Sequence, residues 1–489
     1  MSSGTGSYDV VIVGGGVVGC HCARELSRYD LRVLLLEKES DVCSGASKAN
    51  SAIVHACLSP SPGSFKARLC LEGNRLMPQV CADLGVAFER NGALTVALHE
   101  RELRVLRALQ TRGERNGERD LRILSGSELQ TFEPALAPSV RAALLSPSAG
   151  IVDPFMLTIA AAENAVANGV EVRLETRATG VVVEGERVAG VLTDRGDFRC
   201  RFLVNAAGLY ADEVMRYAGI DSLQIRPRRG DYFVLDKMDL VRHTIFPVPT
   251  PVSKGILIVP TTHGNVLLGP TSLPDCRSDL PPASAAGLAA VREQVLRLVP
   301  GADTSRCIAV FAGVRPSGAR DFVIGMARRP RGLLNLAGIE SPGLTASPAI
   351  ARLAVSLLAE AGLSARPRPG FDPIRRPPPR PRELCWEERA ALIERDSRYG
   401  RIVCRCEGVS EGEIVAATRG PLPARTLDAV KKRTRAMTGR CQAGFDMPLI
   451  LEIMARELGV EPWQVTKYGP GSEVLAGPSV ACLREEAEA

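Results

Sequence analysis

The apolar positions of the first forty residues form two short unbroken runs with a helical stretch between them. Asp9-Val-Val-Ile-Val13 is mostly β-branched and runs straight into glycines, and Arg32-Val-Leu-Leu-Leu-Glu37 ends in an acid. Continuous apolar runs of this length read as strands buried on both faces, the pattern of a parallel sheet. Between them Ala23 and Leu26 share one helix face. Gly14, Gly16 and Gly19 stand at G-x-G-x-x-G spacing where strand passes into helix. Such glycines allow a tight turn, close approach of backbone to a pyrophosphate, and close packing of helix on strand; Glu37 is then placed to accept from a ribose. Strand, turn, helix, second strand and acid in this order predict a dinucleotide site.

The pattern continues in separated stretches. Residues 64–84 put Phe65, Leu69, Leu76 and Val80 near one helix face, residues 86–98 read strand, turn, strand, and residues 99–117 form a charged amphipathic helix. A helix opens near Pro154 and ends around Asn168-Gly169. Val170–Leu174 is a strand, Thr179–Thr193 alternates as a hairpin around Glu184-Gly-Glu-Arg187, and Phe202–Gly208 is a strand ending in small residues. Leu333–Ala337 is another strand, and the Gly/Pro/Ser turn after it opens a helix near Ser347-Pro348. Nucleotide-domain sequence thus arrives in pieces. Strand-rich segments between them, above all 226–310, predict a separate sheet. Residues 366–382 hold seven prolines and six arginines, a composition that gives an extended linker or a surface strap rather than a core.

Composition narrows the class. With 45% apolar and 24% charged residues the chain reads as soluble and globular, and 489 residues suffice for two or three domains. A net charge of +6 is mild for this length and suits a small anionic substrate; no basic run interleaved with aromatics argues for nucleic acid. No apolar run reaches membrane-spanning length, and residues 1–7 lack the apolar core of a signal peptide. Fourteen cysteines follow no secretory framework, so a cytoplasmic protein with mostly buried thiols is expected.

After Glu37 the chain does not go promptly to a third strand, as a nicotinamide unit would. A small-residue loop, Cys43-Ser-Gly-Ala-Ser-Lys-Ala-Asn-Ser51, precedes Ala52-Ile-Val-His-Ala56. A long flexible stretch beside the phosphate turn favours a flavin, whose extended cofactor such loops cover. The five histidines then become candidates for the base that flavin oxidation of an alcohol needs. His21 lies inside the first helix, His99 at a charged helix start, and His243 in no motif. His55 follows the flavin loop, and His263 lies in a turn between strands.

Asn50–Ala56, Phe65-Lys-Ala-Arg-Leu69, Ala206-Ala-Gly-Leu-Tyr-Ala-Asp212, Pro260–Asn265, Gly269-Pro-Thr271 and Gly338-Ile-Glu-Ser-Pro-Gly-Leu-Thr-Ala-Ser-Pro348 accompany the glycine turn. Together, over residues 8–365, they resemble the FAD-dependent glycerol-3-phosphate dehydrogenases and oxidases of the D-amino-acid-oxidase-like superfamily. L-2-hydroxyglutarate oxidases share two of these stretches. The resemblance implies FAD on Gly14, Gly16, Gly19, Glu37, Lys38, Ser47, Asn50, Ser51, Ala207, Gly208, Asp212, Gly338, Ser341, Gly343, Leu344 and Thr345. It implies that His55 takes the hydroxyl proton, with Ser51 near the reactive face. It also implies that Lys254 and Arg315 contact an anionic substrate, with Arg320 and His263 as further candidates. Arginine's planar fork suits phosphate or carboxylate.

Beyond the linker, Val403-Cys404-Arg-Cys406-Glu-Gly and Thr438-Gly-Arg-Cys441-Gln-Ala-Gly-Phe-Asp446 resemble the two ligand loops of bacterioferritin-associated-ferredoxin-like [2Fe–2S] domains. Ser410-Glu-Gly-Glu413 is a capping box opening a helix, and Thr426–Arg435 matches the second helix. In that family four thiolates hold two irons. Here the fourth position is Asp446, which either ligates iron as a hard oxygen donor or caps the helix starting near Met447-Pro448; Cys385 and Cys482 are substitutes outside the motif.

The expected fold is α/β, a Rossmann-like FAD domain with a mixed or antiparallel-sheet substrate domain and a small helical C-terminal domain. The FAD domain takes residues 1–85, 150–225 and 311–365, the substrate domain 86–149 and 226–310, the linker 366–384, and the cluster domain 385–480. The expected function is FAD-dependent oxidation of sn-glycerol 3-phosphate, with electrons passed to a cluster, an acceptor protein, a quinone or oxygen. The alternatives are a 2-hydroxy acid or amino acid oxidoreductase and a non-catalytic electron relay.

Overall fold

Tyr8–Val13 and Val33–Leu36 are buried strands, as their unbroken apolar runs require, and pair in parallel in a computed structural model that describes residues 7–250, 254–274 and 277–478. The rest of the stretch read for a signal peptide, residues 1–6, and Cys482 lie outside the described residues. Among those residues the chain divides into two units, Met1–Lys38 with Val42–Arg375, and Glu39–Asp41 with Arg376–Ala489.

The first unit carries two large sheets. In the eight-stranded sheet, five parallel strands run in the order Leu333–Ala337, Phe198–Asn205, Tyr8–Val13, Val33–Leu36, Glu171–Arg173. Helices Val17–Leu26, Pro154–Ala167 and Gly343–Glu360 accompany it. The nine-stranded sheet is antiparallel except where Thr244–Pro247 runs parallel to Ala93–Ala97. Its long central pair joins Arg228–Leu235 to Cys307–Arg315, with Arg228 opposite Arg315. The strand-rich reading of 226–310 missed the helix Ala285–Leu298; its signal was Ser284, whose hydroxyl accepts from Gly287 N at the helix start.

The helix expected to open near Ser347-Pro348 instead opens at Gly343 and runs through Pro348. Proline lacks the amide that would bond the carbonyl of Leu344. The Ser347 hydroxyl donates to that carbonyl at 2.9 Å, which removes the reason for the helix to start later.

The helix Phe65–Leu84 is held at its start from far away in sequence. Asp321 accepts from the amides of Phe65 at 2.7 Å and Lys66 at 2.9 Å, while the Ser64 hydroxyl accepts from Ala67. Asp321→Ala leaves two helix-start donors without their carboxylate and is expected to cost about 1–2 kcal/mol, read as a lower midpoint of chemical unfolding.

The first part of the Pro/Arg stretch is a strap on the first unit. Arg368 donates to the carbonyls of Ser27 and Leu31, and Arg375 pairs with Glu163 at 2.6 Å. In the second unit, helices Glu411–Arg419, Leu427–Thr434 and Met447–Leu458 pack around Val409, Ile414, Val430, Ile450 and Met454. Ser410 and Glu413 form the expected capping box.

Candidate active site

The glycine turn is built by close approach. Gly14 has φ +111°, and a Cβ on it would lie 2.4 Å from the Ala206 carbonyl oxygen; a Cβ on Gly19 would lie 1.9 Å from the Gly14 oxygen. Gly16 stands before the helix Val17–Leu26 with no side chain to close the helix start, and the Ser47 hydroxyl accepts from Val17 N at 2.8 Å. Glu37 is 9% exposed, and its Oε2 accepts from Gly15 N at 2.7 Å, so a carboxylate sits at the edge of the turn. Ala207 and Gly208 follow the strand that Gly14 touches, and the Asn205 carboxamide fixes the Ala207 amide. A glycine turn without side chains over a helix start, with a carboxylate beside it, fits a dinucleotide.

Other residues expected at the cofactor make contacts within the surrounding loops. Asn50 accepts from Ala52 N at 2.8 Å and donates to the carbonyls of Ala46 and Ser47, which supports Ala52 at φ +59°, a strained value for a side-chain-bearing residue. Lys38 pairs with Asp279 at 2.7 Å and lies over the Tyr210 ring. Asp212 is buried, accepts from Ile225 N, and pairs with Arg216 and Arg277. Gly338, Ser341, Gly343, Leu344 and Thr345 form the turn and first helical residues after the strand Leu333–Ala337.

His55 sits where this turn meets the flavin loop. Its amide donates to Thr345 Oγ1 at 3.0 Å, and its carbonyl accepts from Asn74 Nδ2 at 3.0 Å. Its Nε2 lies 3.2 Å from Ser341 Oγ, which also accepts from Lys254 Nζ at 3.1 Å. An ammonium can only donate, so the serine hydroxyl keeps its proton free to donate to Nε2 when the imidazole carries its own proton on Nδ1. Burial first, and then the Lys254 charge, hold His55 well below the usual histidine range, so the ring is neutral. His55, Lys254, Phe246, Thr95, Cys70 and Pro342 line one cleft.

Positive charge gathers beside it. Among its charged neighbours Lys254 feels the Glu340 carboxylate first and then the charges of Lys66, which is paired with Glu340 at 2.9 Å, and Arg315, and Arg315 acts on Tyr232 as well. The Arg315 guanidinium donates to the carbonyls of Thr271 and Arg229, which fixes its plane at the end of its strand. Ser51 Oγ lies 3.0 Å from the Tyr232 hydroxyl, and that ring stacks on Phe311 at 4.5 Å. The structure thus brings together His55, Ser341, Thr345, Lys254 and, electrostatically, Arg315.

It does not bring in the others. Arg320 is exposed, and its carbonyl accepts from Lys66. His263 Nε2 lies 3.0 Å from Asp153, the carboxylate that caps the helix Pro154–Ala167. Of the remaining histidines, His21 is buried and pushed down to about 3, first by burial and then by Arg24. His243 stacks on Phe132 and bonds Glu133, and His99 precedes a helical turn. Sequence reasoning missed Tyr232, Glu340 and Lys66. Tyr232 lay in the strand-rich stretch 226–310 with no motif around it, and Lys66 and Glu340 lay inside two quoted motifs, each without a motif position of its own.

In the second unit, Cys404 and Asp446 face each other; burial first, and then that carboxylate, push the Cys404 thiol up to about 12. Cys406 lies within hydrogen-bond reach of Cys441. Cys385 is exposed and stands at the start of the helix Trp386–Arg395.

Comparison with known proteins agrees with both parts. Residues 9–357 match the family model for FAD dependent oxidoreductases, DAO, and residues 402–455 match that of the BFD-like [2Fe-2S] binding domain. The chain is similar to a glycerol 3-phosphate dehydrogenase of Caloramator mitchellensis, 40% identical over 96% of this chain and 99% of that one. It is 32% identical to a glycerol 3-phosphate oxidase of Mycoplasma pneumoniae, over 72% of this chain and 94% of that one. The solved structure of dithionite-reduced L-alpha-glycerophosphate oxidase from that organism, with FAD bound, superposes with a TM-score of 0.73 at 31% identity, covering 76% of this chain and 100% of that one. A model match over most of the chain, on a fold whose glycine turn and carboxylate fit the cofactor, places the chain in the DAO family of FAD-dependent oxidoreductases.

Proposed function

We propose that the protein oxidises sn-glycerol 3-phosphate to dihydroxyacetone phosphate. The observation that carries this reading is a neutral imidazole, His55, tied through Ser341 to Lys254 and flanked by the charge of Arg315. Lys254 on the cleft wall, with the charge of Arg315 acting on it, favours an anionic substrate, and the relatives' names favour a phosphate. A substrate hydroxyl would take the place of Ser341 at Nε2, and the ring would accept its proton. Lys254 and Arg315 would hold the phosphate, and Tyr232 would fix Ser51. Bound FAD would supply the hydride acceptor.

Electrons are proposed to leave for a cluster, an acceptor protein, a quinone or oxygen. Among the described residues no helix is long and apolar enough to cross a membrane. The described cysteines are free thiols, which suits a reducing cytoplasm.

The test is anaerobic absorption of the flavin before and after glycerol 3-phosphate. Prompt bleaching is expected. A flavin that stays oxidised with this substrate and bleaches with 2-hydroxyglutarate would transfer the site to a carboxylate substrate. One that bleaches with no small substrate would make the protein a relay.

The protonation of His55 sets a pH profile. Its folded value lies below the usual histidine value of about 6.5, so the base is already unprotonated at that pH and is lost only on further acidification. The acid limb of kcat/KM is therefore expected below pH 6.5. A limb at or above that value would assign it to another group.

A further inference from the structure

Asp446 precedes the helix Met447–Leu458, the place where an aspartate normally turns its carboxylate forward onto the second or third helical amide. It makes no such bond. Its Oδ2 instead accepts from Met437 N at 3.1 Å, nine residues back, and its Oδ1 is buried with no hydrogen-bond partner. The residue is 1% exposed. A buried carboxylate oxygen that meets no N–H or O–H donor and is set against a thiol offers a donor pair suited to a cation.

The neighbours are thiols. Cys404, buried at the end of the strand Ile402–Cys404, faces Asp446, and Cys406 lies beside Cys441. The two loops meet closely, since a Cβ on Gly439 would lie 2.2 Å from that of Cys406. Met437, Gln442 and Ala443 hold positive φ, so the second loop curls around these side chains at a cost in backbone strain. Among the described residues no three such groups converge to hold a single metal ion. A two-iron cluster does not ask for that, because each iron takes two protein ligands and two bridging sulfides. Four donors in two adjacent pairs meet the need.

We propose that Asp446 is a ligand, so that the [2Fe–2S] cluster of this chain is held by three thiolates, Cys404, Cys406 and Cys441, and one carboxylate oxygen. The hard oxygen makes the two irons unequal. This inference rests on the match to the [2Fe-2S] domain and not on the substrate, so either reading can fail without the other.

The experiment is anaerobic reconstitution of the full chain with iron and sulfide, followed by iron and acid-labile sulfide assay and Mössbauer spectroscopy of the oxidised protein. About two irons and two sulfides per chain are expected, in two unequal ferric sites, one shifted in the direction of oxygen ligation. Asp446→Cys is expected to keep the iron and bring both sites into the all-sulfur range. Asp446→Ala is expected to lose iron or change that one site, with flavin content and helical circular dichroism unchanged. The proposal is overturned if the folded wild-type chain takes up no cluster, or if either variant gives the wild-type iron content and spectrum.

Discussion

Replacing His55 with alanine is expected to lower kcat for glycerol 3-phosphate oxidation by about 10²–10⁴-fold, the usual contribution of a positioned general base. KM is expected to change far less, because the phosphate is assigned to Lys254 and Arg315. The substitution is clean for a structural reason. The ties that place the segment run through the backbone of residue 55, its amide to Thr345 Oγ1 and its carbonyl from Asn74, and both survive loss of the ring. Flavin content should therefore stay at the wild-type level. The acid limb of the pH profile should disappear with the imidazole, a change that a purely structural role would not produce. Activity within a few-fold of wild type would remove His55 from the chemistry.

Gly19→Ala is expected to abolish flavin retention, so that the purified protein shows no flavin absorption. The added Cβ would lie 1.9 Å from the carbonyl oxygen of Gly14, a backbone atom, so strand and helix must separate. Gly14→Ala should do the same, through a clash with the Ala206 carbonyl and a φ of +111° that side chains rarely adopt. Gly45→Ala is the control. It lies in the flavin loop, has no positive φ, and its Cβ would meet nothing within 4 Å. Full flavin content in that variant beside empty Gly14 and Gly19 variants would tie the effect to close packing. Full content in all three would show that the turn does not carry the cofactor.

The elements that sequence revealed correctly are those whose signal is local. The unbroken run Val10–Val13 has no side chain to present to water, and its shortness, its β-branched residues and the glycines that follow make it a strand covered on both faces. The glycine spacing marks a turn whose geometry excludes a Cβ, and Ser410 with Glu413 satisfies a helix start within four residues. The proton-accepting candidate, His55, was reached because a motif surrounds it and the other four histidines lie in weaker settings.

What sequence left open depended on partners far away in the chain. Whether His55 is neutral is decided by burial and by Lys254, about two hundred residues on. His263 was drawn away by Asp153, and Tyr232 was brought to Ser51 by strand register. The start of the last helix of the flavin fold moved to Gly343 because Ser347 satisfies the carbonyl that Pro348 cannot. Asp446 could be read from sequence as cap or ligand with equal chemistry; only the fold of its loop turned the carboxylate back toward Cys404. Residue types and short spacings determine which elements form and which chemistries are on offer. Desolvation, charge neighbours and hydrogen-bond partners act across folded space, and they decide which of those chemistries is used.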